Sequence, residues 1–377
     1  MKDQVLLPKT GYYKANLHCH TTLSDGEFTP QQIKEAYMAQ GYSIVAFTDH
    51  RRYVHHTELD SPDFLALAGF EADLTEEATP DRGWPVLKCY HLNLFDTDPS
   101  QNAAEKQATP LLPCPYGDVE GVNQYIADMT KLGFLVGYNH PYWSLQDWRD
   151  YSGLKGLFSM EIYNHGCEHD GLYGFNPQVY DEMLRSGQRL YALATDDNHD
   201  RLPLGDPLND SFGGYVMIAA KELTYPAVIQ ALRDGRFYWS QGPELKGVSI
   251  ENNVLKVETS PVEKIFVTLE GRDSYKAVVN PGESLTQAQF PLDGKEGWFR
   301  LEKSFGSLMP FLLAAVTNNF SPCLAALRFS VEEEKLFLTT LDWDGKNQNR
   351  IPAGLGGAAL QSTVRINGEA YAVAASA

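Results

Sequence analysis

Short apolar runs alternate with helical patterns over the first two thirds of the chain, and this alternation limits the folds that the chain can adopt. A strand is predicted at 15–17, and a helix follows from Thr29 and Pro30 through about Gln40, since threonine caps helices and proline suits their first position. Gly41 ends this helix, and 42–47 forms the next predicted strand. Repeated units of this length favour an α/β fold, as a parallel barrel or an open sheet.

The same two patterns recur up to about residue 240. Further strands are predicted at 65–70, 86–94, 134–138, 159–163, 190–194 and 215–219. Further helices are predicted at 119–132, 177–186 and 225–234. We find no internal repeat of fixed period in the chain.

The pattern changes after Pro243, where helical periodicity fades and short β-like runs are separated by Gly, Pro, Asn and Asp. These features are typical of a small sandwich. Strands are predicted at 248–250, 254–257, 265–269, 298–301, 311–316 and 336–341, whereas 362–374 is left open as a strand or a partly ordered tail. We therefore predict two domains, at 1–243 and 244–377, the second being all-β and of unknown role.

Composition and charge exclude several classes of protein. The 377 residues are too many for one average domain, and the formal net charge of −18 opposes a sequence-independent grip on a nucleic-acid backbone. Five scattered cysteines without a CxxC pair argue against a disulfide framework. Without a long apolar segment we expect no membrane association, and we expect a soluble, cytoplasmic protein of open oligomeric state.

Histidine and carboxylate side chains follow several of the predicted strands. His18 and His20 project to the same side of their strand and would hold one metal ion, whereas Cys19 points the opposite way. The other candidates of this kind are Asp25, His50, Glu71, His91, His140, Asp197 and His199. Imidazole and carboxylate without thiolate suit zinc, manganese or iron, so the pattern indicates a multinuclear site without naming the metal.

In this order the motifs resemble those of the PHP superfamily, named for polymerases and histidinol phosphatases. They are His18-x-His20, Ser24-Asp25-Gly26, Thr48-Asp49-His50, Glu71, His91, Asn139-His140-Pro141 and Asp197-x-His199. The resemblance covers roughly 10–243, and the segment 231–243 is similar to the end of this domain in stand-alone bacterial members that carry a small β domain. It implies a distorted (β/α)7 barrel, TIM-like in outline, with two or three divalent metal ions. We see no polymerase region.

The resemblance also implies how the ligands divide among three metal ions. His18, His20 and Asp197 would hold the first ion, and Glu71 would bridge it to a second. This second ion would also take His91 and His140, while Asp25, His50 and His199 would hold the third. Asp196, beside Asp197, would lie outside this set as a supporting group.

The implied reaction is hydrolysis of a small phosphomonoester or phosphodiester by water that the metal ions activate. Glu71 would act in catalysis as the bridging ligand, and Asp49 would orient a histidine. Arg51, Arg52 and Arg201 follow His50 and His199 directly, where a guanidinium would clamp phosphate.

Alternative interpretations remain for several residues. We interpret His55, His56, His165 and His169 as surface or substrate-loop residues. Glu161 is interpreted as a structural hydrogen-bonding group, with support of a metal ligand from outside as the alternative. Tyr138, Tyr142, Trp143 and Trp148 are equally suited to stacking on a substrate and to packing.

Two other functional classes stay open for the whole chain. One is a metal-binding regulatory or carbohydrate-binding protein with little turnover. The other is a metallohydrolase that acts on a non-phosphate bond.

Overall fold

The structure is a computed structural model that describes residues 3–9, 11–77, 87–108, 112–294, 298–304, 324–332, 335–342, 348–353, 360–366 and 369–375. Two compact units divide the chain, at Met1–Gly306 and Ser307–Ala377. The boundary predicted at residue 243 lies inside the first unit and stays a prediction.

The first unit contains sixteen strands and seven α-helices within its described residues. The strands are β1 (Gln4–Leu7), β2 (Tyr12–Asn16), β3 (Ile44–Phe47), β4 (Leu65–Thr75), β5 (Cys89–Asp96), β6 (Phe134–Tyr138), β7 (Ser159–Asn164), β8 (Tyr191–Thr195), β9 (Tyr215–Ala219), β10 (Phe237–Ser240), β11 (Leu245–Glu251), β12 (Val254–Val262), β13 (Lys264–Leu269), β14 (Ser274–Val278), β15 (Leu285–Pro291) and β16 (Phe299–Ser304). The helices are α1 (Pro30–Ala39), α2 (Ala103–Gln107), α3 (Val119–Leu132), α4 (Trp148–Tyr151), α5 (His165–His169), α6 (Pro177–Arg185) and α7 (Tyr225–Arg233).

Nine of these strands form one mixed sheet, in the order β10-β9-β2-β3-β4-β5-β6-β7-β8. The pairs β2–β3, β3–β4, β6–β7 and β7–β8 are parallel. However, β5 is antiparallel to both β4 and β6, and β9 is antiparallel to β2 and β10. The fold is therefore mixed α/β, and an all-parallel arrangement is wrong because β4 turns back directly into β5.

The sheet closes on itself almost completely. A parallel bridge joins Cys19, beyond β2, to Asn198, beyond β8. The backbone N–H of His20 donates to the Asn198 carbonyl at 3.1 Å, and that of Asp197 donates to the His18 carbonyl at 3.0 Å. The first and last parallel strands thus meet at their carboxyl ends, which forms a barrel-like sheet. We call this junction the seam.

Local sequence explains the elements that carry the site. β3 is buried along its whole length, as expected of a strand covered on both faces, and this explains its unbroken apolar sequence. Helix α1 begins with a capping box, in which the Thr29 side chain accepts from the Gln32 backbone and Gln32 accepts in return. Gly41 follows its end with φ of +77°, a conformation that glycine adopts readily.

The remaining strands of the first unit form what we call the small β region, made of β1 and β11–β16. Its sheets have the orders β1-β11-β12-β15 and β14-β13-β16, and all pairs are antiparallel. Strand β13 alternates partly buried and buried residues, which matches one face packed on an apolar core. Arg300 of β16 forms an ion pair with Asp181 of α6 at 3.0 Å, which ties this region to the barrel-like sheet.

The second unit is described by its strands alone. β17 (Leu324–Glu332), β18 (Lys335–Asp342) and β19 (Gln348–Ala353) form an antiparallel sheet. β20 (Leu360–Ile366) pairs with β21 (Glu369–Ala375), so the segment at 362–374 is two strands and not one. The strand predicted at 311–316 lies outside the described residues.

Candidate metal centre

Glu71 is the centre of the candidate site. Its side chain is 1% exposed, and its carboxylate oxygens lie 3.0–3.5 Å from nitrogen atoms of five imidazoles. These belong to His18, His20, His50, His91 and His140. The Asn139 side-chain amide donates to the same carboxylate at 2.6 Å. A buried carboxylate with this many imidazole neighbours is typical of a metal centre rather than of an apolar core.

The position of Glu71 differs from the predicted strand end. Strand β4 continues through Thr75, and Glu71 stands opposite Asn93 of β5. Parallel pairing of β4 with β3 stops at Ala68, so Glu71 lies just beyond the parallel part of the strand. Because β5 runs antiparallel, His91 near its start reaches the same end of the sheet as the residues that follow the parallel strands.

Asp197 joins the two histidines of the first motif. Its Oδ1 lies 3.0 Å from Nε2 of both His18 and His20, and these two nitrogens are 3.1 Å apart. Asp197 has a positive φ of +53°, which is uncommon outside glycine and turns its carboxylate at the seam. Asn164 also donates to Asp197 Oδ2 at 3.0 Å.

Asp25 and His199 lie on the exposed side of this centre. His199 Nε2 is 3.2 Å from Asp25 Oδ2, and His20 Nδ1 is 3.6 Å from Asp25 Oδ1. The backbone explains Gly26 in this motif, since a Cβ there would lie 2.6 Å from the His20 carbonyl oxygen. The turn that brings Asp25 back over His20 therefore requires glycine.

The nine candidate ligands thus lie together, and their donor atoms suit divalent cations. Atoms within 4.8 Å of one another form the groups His20/Asp25/His50/His199, His18/His20/Asp197, His50/Glu71/His91 and His140/Cys167/Asp197. His50 belongs to two groups, so its assignment to the third ion alone stays a prediction. Within the described residues, Glu71 Oε2 and His50 Nδ1 are buried without a hydrogen-bond partner, as expected of metal ligands. The residues present therefore fit the metal ions that the resemblance implies.

The carboxylates of the cluster raise the pKa values of His18 and His20, which they surround. Burial would lower the pKa of His18, but Asp197, Glu71 and Glu161 outweigh it and raise this pKa well above its usual value. Burial would also lower the pKa of His20, but the Asp197 and Glu71 carboxylates outweigh burial and raise this pKa to about 9. Bound cations would reverse this logic, since they require neutral imidazoles and release protons on binding.

Several side chains orient the candidate ligands from outside. Glu161 Oε1 lies 2.6 Å from His18 Nδ1, and Glu161 Oε2 accepts from the His140 backbone at 3.1 Å. Ser144 Oγ lies 3.1 Å from His140 Nδ1. Glu161 is therefore more than an ordinary structural group, because it fixes the ring of a candidate ligand directly. The sequence signal for this role was its place in a strand beside the others.

Asp49 has a different environment from the one predicted. Its carboxylate accepts from the Thr21 backbone at 2.8 Å and from the Ser24 hydroxyl at 2.8 Å. The Ser24 hydroxyl lies 3.5 Å from His20 Nδ1. Among the bonds of the described residues, Asp49 thus holds the turn that carries Asp25 and reaches a histidine through Ser24.

The arginines separate into two kinds. Arg201 lines the cleft over the cluster, and its Nη2 lies 3.3 Å from Asp25 Oδ2. Arg51 is instead paired with Asp73, away from the cleft lining, and Arg52 is exposed. Arg201 is therefore better placed than Arg51 for a phosphate.

Asp196 lies outside the cluster. Its carboxylate accepts from the Tyr37 hydroxyl and from the backbone of Phe212 and Gly214, each at 2.8 Å. Sequence reasoning misses Cys167, because it lies on the short helix α5 and not at a strand end. It is 3% exposed and lies in one group with His140 and Asp197.

A cleft of about 310 Å³ opens above the cluster. Trp143 and His169 line it, whereas Tyr138 is fully buried in the core. Trp148 is 48% exposed and packs edge-on against Tyr151. Of the four aromatic residues considered for stacking on a substrate, Trp143 is therefore the one that lines the cleft.

Comparison with known proteins gives matches of limited extent. No protein-family model matches the chain. One curated relative is the DNA polymerase/3'-5' exonuclease PolX of Bacillus subtilis, which is 31% identical over 103 residues, or 22% of this chain. The match covers 18% of that protein's length. The resemblance to the PHP superfamily that the motifs predict is confirmed.

Two solved structures are also similar to the chain. One is a two-domain protein from Bacteroides vulgatus, described as containing a predicted PHP-like metal-dependent phosphoesterase, with 13% identity and a TM-score of 0.41 over 93% of this chain and 99% of that one. The other, from Bifidobacterium adolescentis, is described as a candidate metal-dependent phosphoesterase. It shows 17% identity and a TM-score of 0.32 over 52% of this chain and 91% of that one. The fold described above rests on this chain's own strand order.

A search of the described helices for a membrane-crossing segment finds none with the necessary length and apolar character.

Proposed function

We propose that this chain is a metal-dependent phosphoesterase that hydrolyses a small phosphomonoester or phosphodiester. The observation that carries the proposal is the Glu71 carboxylate, 1% exposed and within 3.5 Å of five imidazole rings. Divalent cations at such a centre would lower the pKa of water and neutralise charge on phosphoryl oxygens. The chain would then need no serine or cysteine nucleophile.

The residues of the site would divide the work. Two or three ions of zinc, manganese or iron would be held by the six candidate histidines together with Asp25, Glu71 and Asp197. Glu161 would keep the His18 ring in place, since their atoms lie 2.6 Å apart. Arg201 lies on the cleft wall and is 64% exposed, so it would contact phosphoryl oxygens after releasing Asp25.

Other expectations belong to the same proposal. The site would stand on a distorted (β/α)7 barrel within residues 1–243, followed by a β domain of unknown role at 244–377. The substrate would be a small phosphorylated molecule, since a net charge of −18 disfavours polymeric nucleic acid. We also propose a cytoplasmic location without membrane binding.

A substrate panel with each metal tests the proposal. The full chain is loaded with zinc, manganese or iron, its metal content is measured, and release of phosphate from monoesters and diesters is compared with hydrolysis of carboxylic esters and amides. We expect phosphoester hydrolysis that His18→Ala abolishes without unfolding the protein. His56→Ala is the matched control, because His56 pairs with Glu58 and lies outside every metal-binding group.

Three outcomes would overturn the proposal. A protein that takes up no metal after reconstitution would have no such centre. A metal-loaded protein that cleaves esters or amides but no phosphoester would be a different metallohydrolase, and one that cleaves nothing would be a binding protein.

A further inference from the structure

Two leucines are exposed where the cleft opens above the metal centre. Leu202 and Leu208 both line the cleft, and they are 40% and 59% exposed. A single exposed leucine on a surface is ordinary, but a pair at the mouth of a cleft leaves apolar surface against water beside the site of chemistry. An apolar group bound there would remove that surface from water.

The loop that carries these leucines is held firmly. The Asn209 side chain is 7% exposed and donates to the Leu202 carbonyl at 2.9 Å and to Asp200 Oδ1 at 3.2 Å. The Leu208 N–H donates to Asp206 Oδ1 at 2.9 Å. Because the backbone is anchored, the leucines stay at the cleft instead of turning into the core.

Trp143 contributes a second apolar surface. Its ring lies 5.1 Å from that of His140 and 5.9 Å from that of His91, which places it directly beside the metal centre. Its Nε1 donates to Asp170 Oδ2 at 2.8 Å, so the indole is fixed in orientation. A fixed aromatic face loses little entropy when a ligand packs on it.

Charge at the cleft disfavours a substrate with many phosphates. Among the described residues that line the cleft, Arg201 is the one arginine or lysine, and it already faces Asp25. Asp170 and Asp210 also line the cleft and are acidic. The metal centre can neutralise one phosphoryl group, but further phosphates would meet carboxylates.

We propose that the cleft selects phosphoesters with one phosphate and an apolar alkyl or aryl group, which packs on Leu202, Leu208 and Trp143. This inference rests on the proposed phosphoesterase function and names its substrate class. Hydrolysis would transfer the phosphoryl group to water, and the apolar alcohol would leave with one proton.

A series of alkyl monophosphates isolates the apolar contact. Ethyl, butyl and hexyl phosphate have leaving groups of nearly equal acidity, so their chemistry is matched and only apolar length changes. We expect kcat/KM of the metal-loaded chain to rise about threefold per methylene, somewhat less than full burial of a methylene would give. The double variant Leu202→Ser/Leu208→Ser should flatten this rise, whereas Leu204→Ser should not. Leu204 is 43% exposed on the same loop but outside the cleft lining.

Binding of ethyl-, butyl- and hexylphosphonate, measured by calorimetry, separates this inference from the proposed function. If no ester is hydrolysed but phosphonate affinity rises with chain length and needs the two leucines, the phosphoesterase proposal fails and the apolar surface stands. If esters are hydrolysed but neither kcat/KM nor phosphonate affinity depends on chain length, the inference is overturned alone. Equal slopes in the double variant and the wild type would overturn it as well.

Discussion

The barrel-like sheet and the small β region bury their strands in opposite ways. The sheet places Glu71, Asp197 and His18 in its interior at 0–8% exposure. Among the described residues between Ser240 and Leu301, Thr259 is the one polar residue that is buried to this degree. The small β region instead packs Val257, Ile265 and similar residues on one another. The interior of the barrel-like sheet therefore holds charged groups at the candidate site, whereas the interior of the small β region holds apolar side chains that stabilise the fold.

The largest expected effect is on catalysis in the sheet. Glu71→Gln keeps the shape of the side chain but removes the charge that would bridge cations, so kcat/KM for the best phosphoester should fall by at least about 10³-fold. The fold should be retained, as circular dichroism would show. Glu58→Gln, an exposed acid beside His56, serves as control and should retain full activity. Retained activity in Glu71→Gln would show that the buried charge of the sheet is not needed for catalysis, and would contradict this difference between the two regions.

The next effect is on stability in the small β region. Ile265→Ala removes a fully buried side chain, so it should lower the free energy of unfolding by about 2–5 kcal/mol. Val278→Ala, at a position 52% exposed on the neighbouring strand, should cost less than about 0.5 kcal/mol. Denaturant unfolding measures both. Metal content should stay unchanged in each variant, and its loss from folded Ile265→Ala would show that the regions are not separable.

A third difference concerns pH, because all ten histidines lie between residues 18 and 199. Burial, together with His169, lowers the pKa of His165 to about 4. An unfolded histidine titrates near 6.5, so the unfolded state binds more protons between these values, and the folded state loses up to about 3 kcal/mol as the pH falls from 6.5 to 4.

The variant His165→Gln isolates this contribution. The relevant quantity is the difference between the unfolding free energies of wild type and variant, measured from pH 4.5 to 7.5, because contributions that the two proteins share cancel in it. The free energy of unfolding of the wild type should fall relative to that of the variant as the pH falls. A difference that does not change with pH would contradict the assignment.

The smallest effect is expected for a residue that acts through another. Glu161→Gln should weaken metal affinity by about 10- to 100-fold, because the His18 ring loses its charged partner at Nδ1. The variant should bind metal fully at high concentration and recover activity there. Metal titration measures the shift, and an unchanged affinity would return Glu161 to a structural role.

Most of the barrel-like sheet could be predicted because its strands are short apolar runs bounded by helices. The strands β6 and β9 and the helix α3 have the predicted limits. Strand direction cannot be predicted, since an apolar run has the same pattern in either orientation, and the sequence of β5 therefore does not show that it runs antiparallel to its neighbours. Helix α5 was missed because five residues carry no helical period.

Most of the candidate ligands can be predicted from sequence because they follow or interrupt an apolar run, whereas Asp25 lies in a Ser-Asp-Gly turn. Glu161 and Asn164 carry the same signal, but their role depends on contacts with His18 and Asp197 that lie far away in sequence. Cys167 carries no such signal. Which oxygen meets which imidazole depends on contacts between strands that lie far apart in sequence, and no local pattern encodes it.

The seam also implies an order of assembly. Asn16 and Asn198 meet across 182 residues, and the candidate ligands His20 and Asp197 lie directly beside this junction. A chain leaving the ribosome would present the first histidines long before their partner aspartate exists, and closing so long a loop costs entropy. Metal ions bound at the seam would stabilise only a sheet in which β2 and β8 have already met. Metal retention would therefore report that the barrel-like sheet has closed.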